Sequence, residues 1–410
     1  MSNCCNLPFA FALCFLTMRI ITRTVLILSI ISLFADIASE MLYPVVPLYL
    51  EKIGFTVLGM GFLEGIANFT AGISKGYFGK LSDEKGLRLP FVKWGYFLSS
   101  ISKPMMALFT YPLWIIFSRT VDRLGKGIRT APRDALLSQE ATTETKARVF
   151  GFHRSMDTLG ATIGPIAALA FLYFYPEDYK TIFYLAFIPG LISVLLIFLL
   201  KEKKNPNSTL GKGNFFSFFK YWKIASVDYK KLVAGLLLFA LINSSDFFLI
   251  LKTKQVTGSD YITLITYIFY NLVFALASYP IGAIADRFNF KTVFIFGLLL
   301  FGIVYTGFAF EPSTAVIFVL YFIYGIYAAA TESIAKAWIS NLAHGVDTGT
   351  ALGFYTSCQS ICTLLASSIA GFVWTYIGSK ETFLFTGIAT VVIILYFLRF
   401  KSLSKFKAEK

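Results

Sequence analysis

Two acidic residues, Asp36 and Glu40, lie four positions apart inside a long apolar stretch, residues 24–50. A spacing of four places both carboxylates on the same face of one helix. The stretch is long enough to cross a bilayer, and a charge at bilayer depth costs about 2.5–3.5 kcal/mol on insertion scales. Such carboxylates face a polar cavity or an ion path rather than lipid. We therefore expect this helix to line a route through a membrane.

A second group of charges occurs in residues 113–138 at spacings of three and four, so its members share one broad helical face. The group consists of Arg119, Asp122, Arg123, Lys126, Arg129, Arg133 and Asp134. Guanidinium groups bind carboxylates and phosphates through paired hydrogen bonds, so the first four residues predict a cavity for an anionic or zwitterionic substrate. The alternative is an ion-pair network that closes a gate. We expect that network for the last three, together with Arg154 and Lys336, and with Asp83 and Asp286 as partners.

Other polar side chains inside apolar stretches complete the candidate cavity. They are Tyr43, Glu64, Asn68, Asp157, Asn243, Asn271 and Glu332. A carboxylate that is partly removed from water holds its proton more readily and can exchange it near neutral pH. Asp36, Glu40 and Asp246 are therefore the candidates for proton coupling. The alternative is that they only neutralise nearby arginines.

Composition places most of the chain in lipid. Of its 410 residues, 56% are hydrophobic and 15% are charged, whereas a soluble domain is about 45–50% apolar and 25% charged. Twelve apolar stretches are long enough to span a bilayer, which predicts an all-α integral membrane protein. These spans, numbered 1 to 12, cover 24–50, 57–78, 91–111, 113–138, 149–174, 182–200, 231–251, 261–284, 290–310, 314–340, 353–377 and 381–399.

The spans and the basic residues between them predict five regions. These are an N-terminal extension (1–23), a six-helix bundle (24–200), a basic linker (201–230), a second six-helix bundle (231–399) and a tail (400–410). Basic residues concentrate in the linker, the tail and alternate short loops, so the positive-inside rule places both termini in the cytoplasm. The net charge of +14 is spread over these loops, which argues against a nucleic-acid surface. Residues 1–17 lack the basic start of a signal peptide.

Two loops carry related motifs that lie 203 residues apart. The first has Gly79, Asp83, Gly86 and Arg88, and the second has Gly282, Asp286, Arg287 and Lys291. As a pair, at the corresponding loops of a twelve-span chain, they resemble the signature loops of the major facilitator superfamily. The resemblance implies two pseudo-symmetric bundles, alternating access, no covalent chemistry and a gate that the loops latch. Glu84 stands where the family usually has arginine.

Two further motifs resemble those of drug/proton antiporters in the same superfamily. Tyr43-Pro44-Val45-Val46-Pro47 is similar to their proline motif, and Gly160-x-x-x-Gly164-Pro165 to their antiporter motif. Ordinary packing of small residues between helices explains the second motif equally well. Exchange with protons is therefore favoured by resemblance and not settled by it.

These observations predict a proton-coupled secondary transporter of the inner membrane that exports a small anionic or amphiphilic compound. Its partners would be the substrate, protons and the bilayer, with no cofactor, no metal and a monomeric state. Proton symport of an organic anion or a nutrient conjugate is the first alternative. A lipid flippase on the same scaffold is the second. An intramembrane enzyme would need a nucleophile–base or metal constellation, and the sequence does not show one.

Overall fold

The computed structural model describes residues 20–43, 45–55, 57–202, 215–310, 312–343 and 347–399. The side chains at 47, 48, 57–62, 64, 65 and 260 lie outside this description, as do residues 1–19 and the tail 400–410. Every regular element in the described ranges is a helix. Eight of these helices, or pairs of helices in line, are long and apolar enough to cross a membrane.

The described residues form twelve spans, which follow one another along the chain. Their bounds are Arg23–Glu40 with Val45–Lys52 (span 1), Val57–Lys85 (span 2), Leu89–Leu108 (span 3), Pro112–Gln139 (span 4), Lys146–Phe174 (span 5), Tyr179–Leu196 continued by Ile197–Leu199 (span 6), Val227–Ile242 with Phe247–Thr257 (span 7), Asp260–Arg287 (span 8), Phe290–Ala309 (span 9), Thr314–Leu342 (span 10), Thr348–Tyr376 (span 11) and Ser379–Arg399 (span 12). Two short turns, Ser217–Lys220 and Tyr221–Ile224, precede span 7.

Spans 1 and 7 are each broken in two, although their sequences predict continuous helices. The breaks fall at 41–44 and 243–246. At the repeat distance of 203 residues, Glu40 corresponds to Asn243 and Tyr43 to Asp246. In span 7 the break contains Asn-Ser-Ser-Asp, whose side chains compete with the helix for backbone hydrogen bonds. Non-helical backbone at membrane depth is tolerated where protein or a water-filled cavity covers it, so both breaks mark the interior.

The spans form two six-helix bundles with equivalent packing. In the first bundle, span 1 packs on spans 5 and 6, span 3 on spans 4 and 6, and span 2 on span 4. The second bundle repeats this pattern with spans 7 to 12. The bundles meet along two seams, where span 2 packs on span 11 and span 5 on span 8.

The two ends of the molecule differ. We call the end that carries the motif loops and residues 215–226 the linker end, and the opposite end the far end. At the linker end the seams depend on glycine: a side chain at Gly79 would collide with the carbonyl oxygen of Gly349, and one at Gly282 with that of Ala147. Because these backbones touch, the two bundles are closed against each other at the linker end.

Candidate functional site

A cavity of about 700 Å³ lies between the bundles, bounded by spans 2, 4, 7 and 11. Its polar lining consists of Asn68, Lys75, Arg123, Lys126, Thr130, Ser245, Gln359, Ser360, Thr363 and Ser367. The first bundle contributes three cations and the second contributes hydroxyl and amide groups. No carboxylate occurs among the described lining residues. This surface suits an anion that also carries neutral polar groups.

Most of the predicted cavity carboxylates lie outside this lining, nearer spans 1, 5 and 10. Asp36 interacts electrostatically with Asp157, and Asp246 with Glu332. The hydroxyl of Tyr324 donates to an oxygen of Asp246 at 2.7 Å. The described cavity lining therefore carries cations only, whereas the carboxylates lie near spans 1, 5 and 10, where Arg154 contacts Glu332.

Lys126 connects the two regions. It lines the cavity, and it also interacts electrostatically with Asp36 and Glu40 on span 1. A negative charge that enters the cavity near Lys126 therefore competes with the two carboxylates for the same cation.

Asp122 and Arg119 differ from the expectation that they line the cavity. Asp122 is 5% exposed and faces span 3, where it accepts a hydrogen bond from Ser99 at 2.7 Å and lies 3.4 Å from the ammonium group of Lys103. Arg119 is 3.7 Å from the same carboxylate. The face of span 4 is broader than the cavity, so its outer charges form a buried network within the first bundle. The sequence assigned no role to Lys103, which is buried in this network and is only 3% exposed.

Two aspartates of the motif loops cap helices of the opposite bundle. Asp83 accepts hydrogen bonds from the backbone N–H of Thr350 at 2.6 Å and from its hydroxyl at 2.8 Å, at the start of span 11. Asp286 accepts from the backbone N–H groups of Ala147 and Arg148 at 2.9 and 3.0 Å, at the start of span 5. A carboxylate at a helix N-terminus satisfies free N–H groups and complements the helix dipole. The linker end is therefore held by two symmetry-related caps.

Among the described residues, neither aspartate forms an ion pair with the predicted gate residues Arg129, Arg133, Arg154 or Lys336, whereas pairing of a motif aspartate with a nearby arginine occurs as expected. Asp83 pairs with Arg88 of its own motif at 2.8 Å, and Asp286 pairs with Arg148 at the start of span 5 at 3.0 Å. Arg287 is exposed, and the ammonium group of Lys291 donates to the carbonyl of Leu398 at 3.1 Å. Gly86 has a left-handed φ of 64° and ends span 2.

A second set of contacts joins the two bundles near these caps. Lys336 of span 10 is 2.8 Å from Asp134, and Arg154 contacts Glu332. Lys146, which the sequence did not single out, donates to the carbonyl of Ser340 at 2.8 Å. The expected gate network thus includes contacts of Asp134, Arg154 and Lys336 across the seam.

The remaining gate candidates pack within the first bundle. Arg133 donates to Ser32 at 2.7 Å and lies 3.1 Å from Asp134. The guanidinium of Arg129 stacks over the ring of Tyr96 at 4.2 Å. Arg129 is 3% exposed, so it stabilises the packing of spans 3 and 4.

The other cavity candidates occupy three places. Asn68 lines the cavity, and the side chain of Glu64 lies outside the described part of the chain. Tyr43 stacks on Tyr267 across the bundles, with ring centroids 6.0 Å apart. Asn243 and Asn271 donate to the hydroxyl of Tyr327 and the carbonyl of Tyr267, each at 3.0 Å. These last contacts lie in a tyrosine-rich region beside Asp246, which the sequence did not predict.

The glycines of the antiporter-like motif have a packing role. A side chain at Gly160 would collide with the carbonyl oxygen of Leu33, and one at Gly164 with the backbone at Met41. Both glycines therefore let span 5 approach span 1 beside Asp36 and Glu40.

Lys75 and Ser360, also missed from the sequence, meet across the cavity at 3.4 Å. The signal for Ser360 was the spacing of Ser357, Ser360 and Ser367 on one face of span 11.

Comparisons with known proteins agree with this architecture. The family model of the Major Facilitator Superfamily matches residues 28–275 and 256–410. An uncharacterised MFS-type transporter of Methanocaldococcus jannaschii is 30% identical over 388 residues, covering 93% of this chain and 96% of its own length.

Two solved structures share the fold. The human organic anion transporter MFSD10 (TETRAN) superposes with a TM-score of 0.75 at 16% identity, covering 92% of this chain and 99% of its own. The Escherichia coli fucose:proton symporter superposes with a TM-score of 0.74 at 12% identity, covering 92% and 98%. With twelve spans in two pseudo-symmetric bundles and a family match over nearly its whole length, the chain is a multi-pass membrane transporter that belongs to the Major Facilitator Superfamily.

Proposed function

We propose that the protein carries a small organic anion across the inner membrane together with protons, by alternating access and as a monomer. The linker end is taken as the cytoplasmic end because basic residues concentrate there. The observation that carries the proposal is Lys126, which lines a cavity with cationic and neutral polar groups and also interacts with Asp36 and Glu40.

Electrostatic linkage favours cotransport over exchange. An anion beside Lys126 weakens the hold of this cation on the carboxylates of span 1 and adds a negative charge near them. Both effects promote proton uptake by Asp36 or Glu40, and by reciprocity a bound proton promotes anion binding. Ligand and proton are therefore bound in the same state and cross in the same direction. Asp246, which belongs to the same central group of carboxylates, is a third proton-binding candidate.

Export by exchange with protons is the second candidate, and the motifs of spans 1 and 5 that resemble those of antiporters favour it. Flux in proteoliposomes separates the two. With an inward-directed proton gradient, a symporter accumulates the anion inside and an antiporter expels it. The human organic anion transporter and the E. coli fucose:proton symporter share the fold with this chain at low sequence identity. They support an anionic substrate and a proton as coupling ion by analogy only.

The coupling assignment is tested by Glu40→Gln, which removes a titratable group with little change of shape. We expect proton-driven accumulation to be lost while counterflow exchange, which needs no gradient, continues. Glu51→Gln, at an exposed position in the second half of span 1, is the matched control and should keep both activities. Full proton-driven uptake by Glu40→Gln would remove this residue from the mechanism.

The substrate class is tested by Arg123→Ala. Arg123 lines the cavity, so its loss should weaken anionic compounds about 10-fold to 100-fold more than neutral ones of the same size, the range for a charge-assisted contact. Lys52→Ala, which changes an exposed lysine at the far end, controls for the general change of charge. Equal weakening of anionic and neutral compounds by Arg123→Ala would contradict the assignment of an anionic substrate.

A further inference from the structure

The segment that precedes span 7, together with the first residues of that span, lies across the bundles. We call residues 215–231 the strap. On the first bundle, Phe218 is fully buried against Gly76 of span 2, where any side chain would collide with its ring. The ammonium group of Lys80 donates to Ser217 at 2.7 Å. The inner face of the strap is therefore fitted to span 2.

The same segment also contacts the second bundle. The ring of Trp222 stacks on Phe354 of span 11 at 5.6 Å, and the ring of Phe219 meets it edge-on at 6.1 Å. The hydroxyl of Tyr229 donates to the carbonyl of Ala351 at 2.8 Å. The strap thus bridges spans 2 and 11 at the linker end of their seam. Spans 2 and 11 must separate at the linker end when that end opens. The strap can therefore contact both spans at once only in the closed form.

The outer face of the strap has a different chemistry. Phe216, Ile224 and Val227 are 59%, 76% and 63% exposed. Exposed lysines stand among them, at 220, 223 and 231. The strap leads directly into the membrane-spanning part of span 7, so it lies at the level of the lipid headgroups. Exposed apolar side chains with interspersed lysines are typical of segments that bind an anionic membrane surface.

We propose that the strap binds anionic phospholipid headgroups on its outer face and that this binding stabilises the closed linker end. Apolar side chains insert beside the acyl chains while Lys220 and Lys223 contact the phosphates. The lipid then holds the strap in place, and Phe218 holds span 2 against span 11. The proposal concerns the equilibrium between closed and open forms, so it does not depend on which substrate is carried or on the direction of transport.

The test measures closure of the linker end in vesicles of two compositions, phosphatidylcholine alone and phosphatidylcholine mixed with phosphatidylglycerol. The five native cysteines are replaced by serine, and Thr143→Cys and Asn341→Cys are introduced. These positions adjoin across the bundles, since the Asn341 amide donates to the Thr143 carbonyl at 3.2 Å. Cross-linking with a short reagent reports the closed form. We expect phosphatidylglycerol to raise the ratio of closed to open forms about 10- to 30-fold, the effect of two lysines at an anionic surface.

Variants separate the two parts of the proposal. The double variant Lys220→Gln/Lys223→Gln should lose the response to phosphatidylglycerol, and Lys180→Gln at the far end should keep it. Phe218→Ala should lower cross-linking in both vesicles, and Gly76→Ala should do the same by displacing the ring from the other side. Phe174→Ala, an exposed phenylalanine at the far end, is the aromatic control.

Three results would overturn the proposal. Equal cross-linking in both vesicle types, or a lipid response that survives in the double lysine variant, would exclude a headgroup site on the strap. Wild-type cross-linking in both Phe218→Ala and Gly76→Ala would exclude the strap as a stabiliser of the closed form.

Discussion

The cap that Asp83 forms on span 11 gives a sharp prediction about the gate. Asp83→Asn should shift the equilibrium of the transporter towards forms that are open at the linker end. Asp83 is 7% exposed and accepts hydrogen bonds from the start of span 11 in the other bundle. Its ion pair with Arg88 lies within the first bundle. Only the bonds across the seam are lost when the linker end opens.

The magnitude follows from those bonds. Asp83 accepts from Thr350 N–H at 2.6 Å, from the Thr350 hydroxyl at 2.8 Å and from Gly349 N–H at 3.3 Å. A hydrogen bond to a charged group contributes about 1.5–3 kcal/mol. Asparagine keeps one oxygen acceptor, but its amide group brings a donor towards another donor. We therefore expect the closed form to lose about 2–3 kcal/mol, which lowers the ratio of closed to open forms about 30- to 150-fold.

Distance measurements by pulsed electron resonance would show this shift. Spin labels at Thr142→Cys and Phe288→Cys occupy exposed positions at the linker end of the two bundles. The wild-type protein should give a short distance and Asp83→Asn a population at longer distance. Asp286→Asn removes the symmetry-related cap, and it should have an effect of similar size.

The control is Glu177→Gln, which breaks an exposed ion pair with Lys52 at the far end. Exposed pairs contribute about 0–1 kcal/mol, so this variant should keep the wild-type distances. An unchanged distribution in folded Asp83→Asn and Asp286→Asn would refute the argument that the caps hold the gate.

Two other predictions follow from close packing and from buried charge. Gly282→Ala should prevent full closure in the same distance assay, because a Cβ there meets the carbonyl of Ala147, whereas a Cβ at Gly302 would make only ordinary contacts at 3.9 Å or more, so Gly302→Ala should close normally. Normal closure of Gly282→Ala would contradict the packing argument. Lys103→Met removes one of the two cations beside Asp122, while Arg119 remains at 3.7 Å, and should lower the free energy of unfolding by about 1.5–3 kcal/mol. Adding Asp122→Leu should recover most of that loss in thermal unfolding; no recovery would mean that the pair is not the cause.

Much of the fold was predictable because the membrane restricts what a sequence can form. Apolar stretches of sufficient length must become helices whose backbone groups bond internally, so composition alone predicted an all-α membrane protein with twelve spans. The paired motifs around Asp83 and Asp286 then showed that the halves are duplicated. Broken helices escaped prediction because residues 41–44 and 243–246 lie inside apolar stretches whose hydropathy resembles that of a continuous span.

The sequence predicted which residue types belong to the candidate site better than it predicted which residues contact each other. The sequence by itself determined that Asp36, Glu40 and the basic face of span 4 belong to the interior, because charge at bilayer depth needs a polar neighbour. The tertiary structure decided which neighbour each charge has. It turned Asp122 towards Lys103, directed Asp83 and Asp286 to helix starts in the opposite bundle, and left Arg123 and Lys126 to line the cavity. Periodicity places a residue on a face of its own helix, but the rotation of that helix against its neighbours is set by packing between segments hundreds of residues apart.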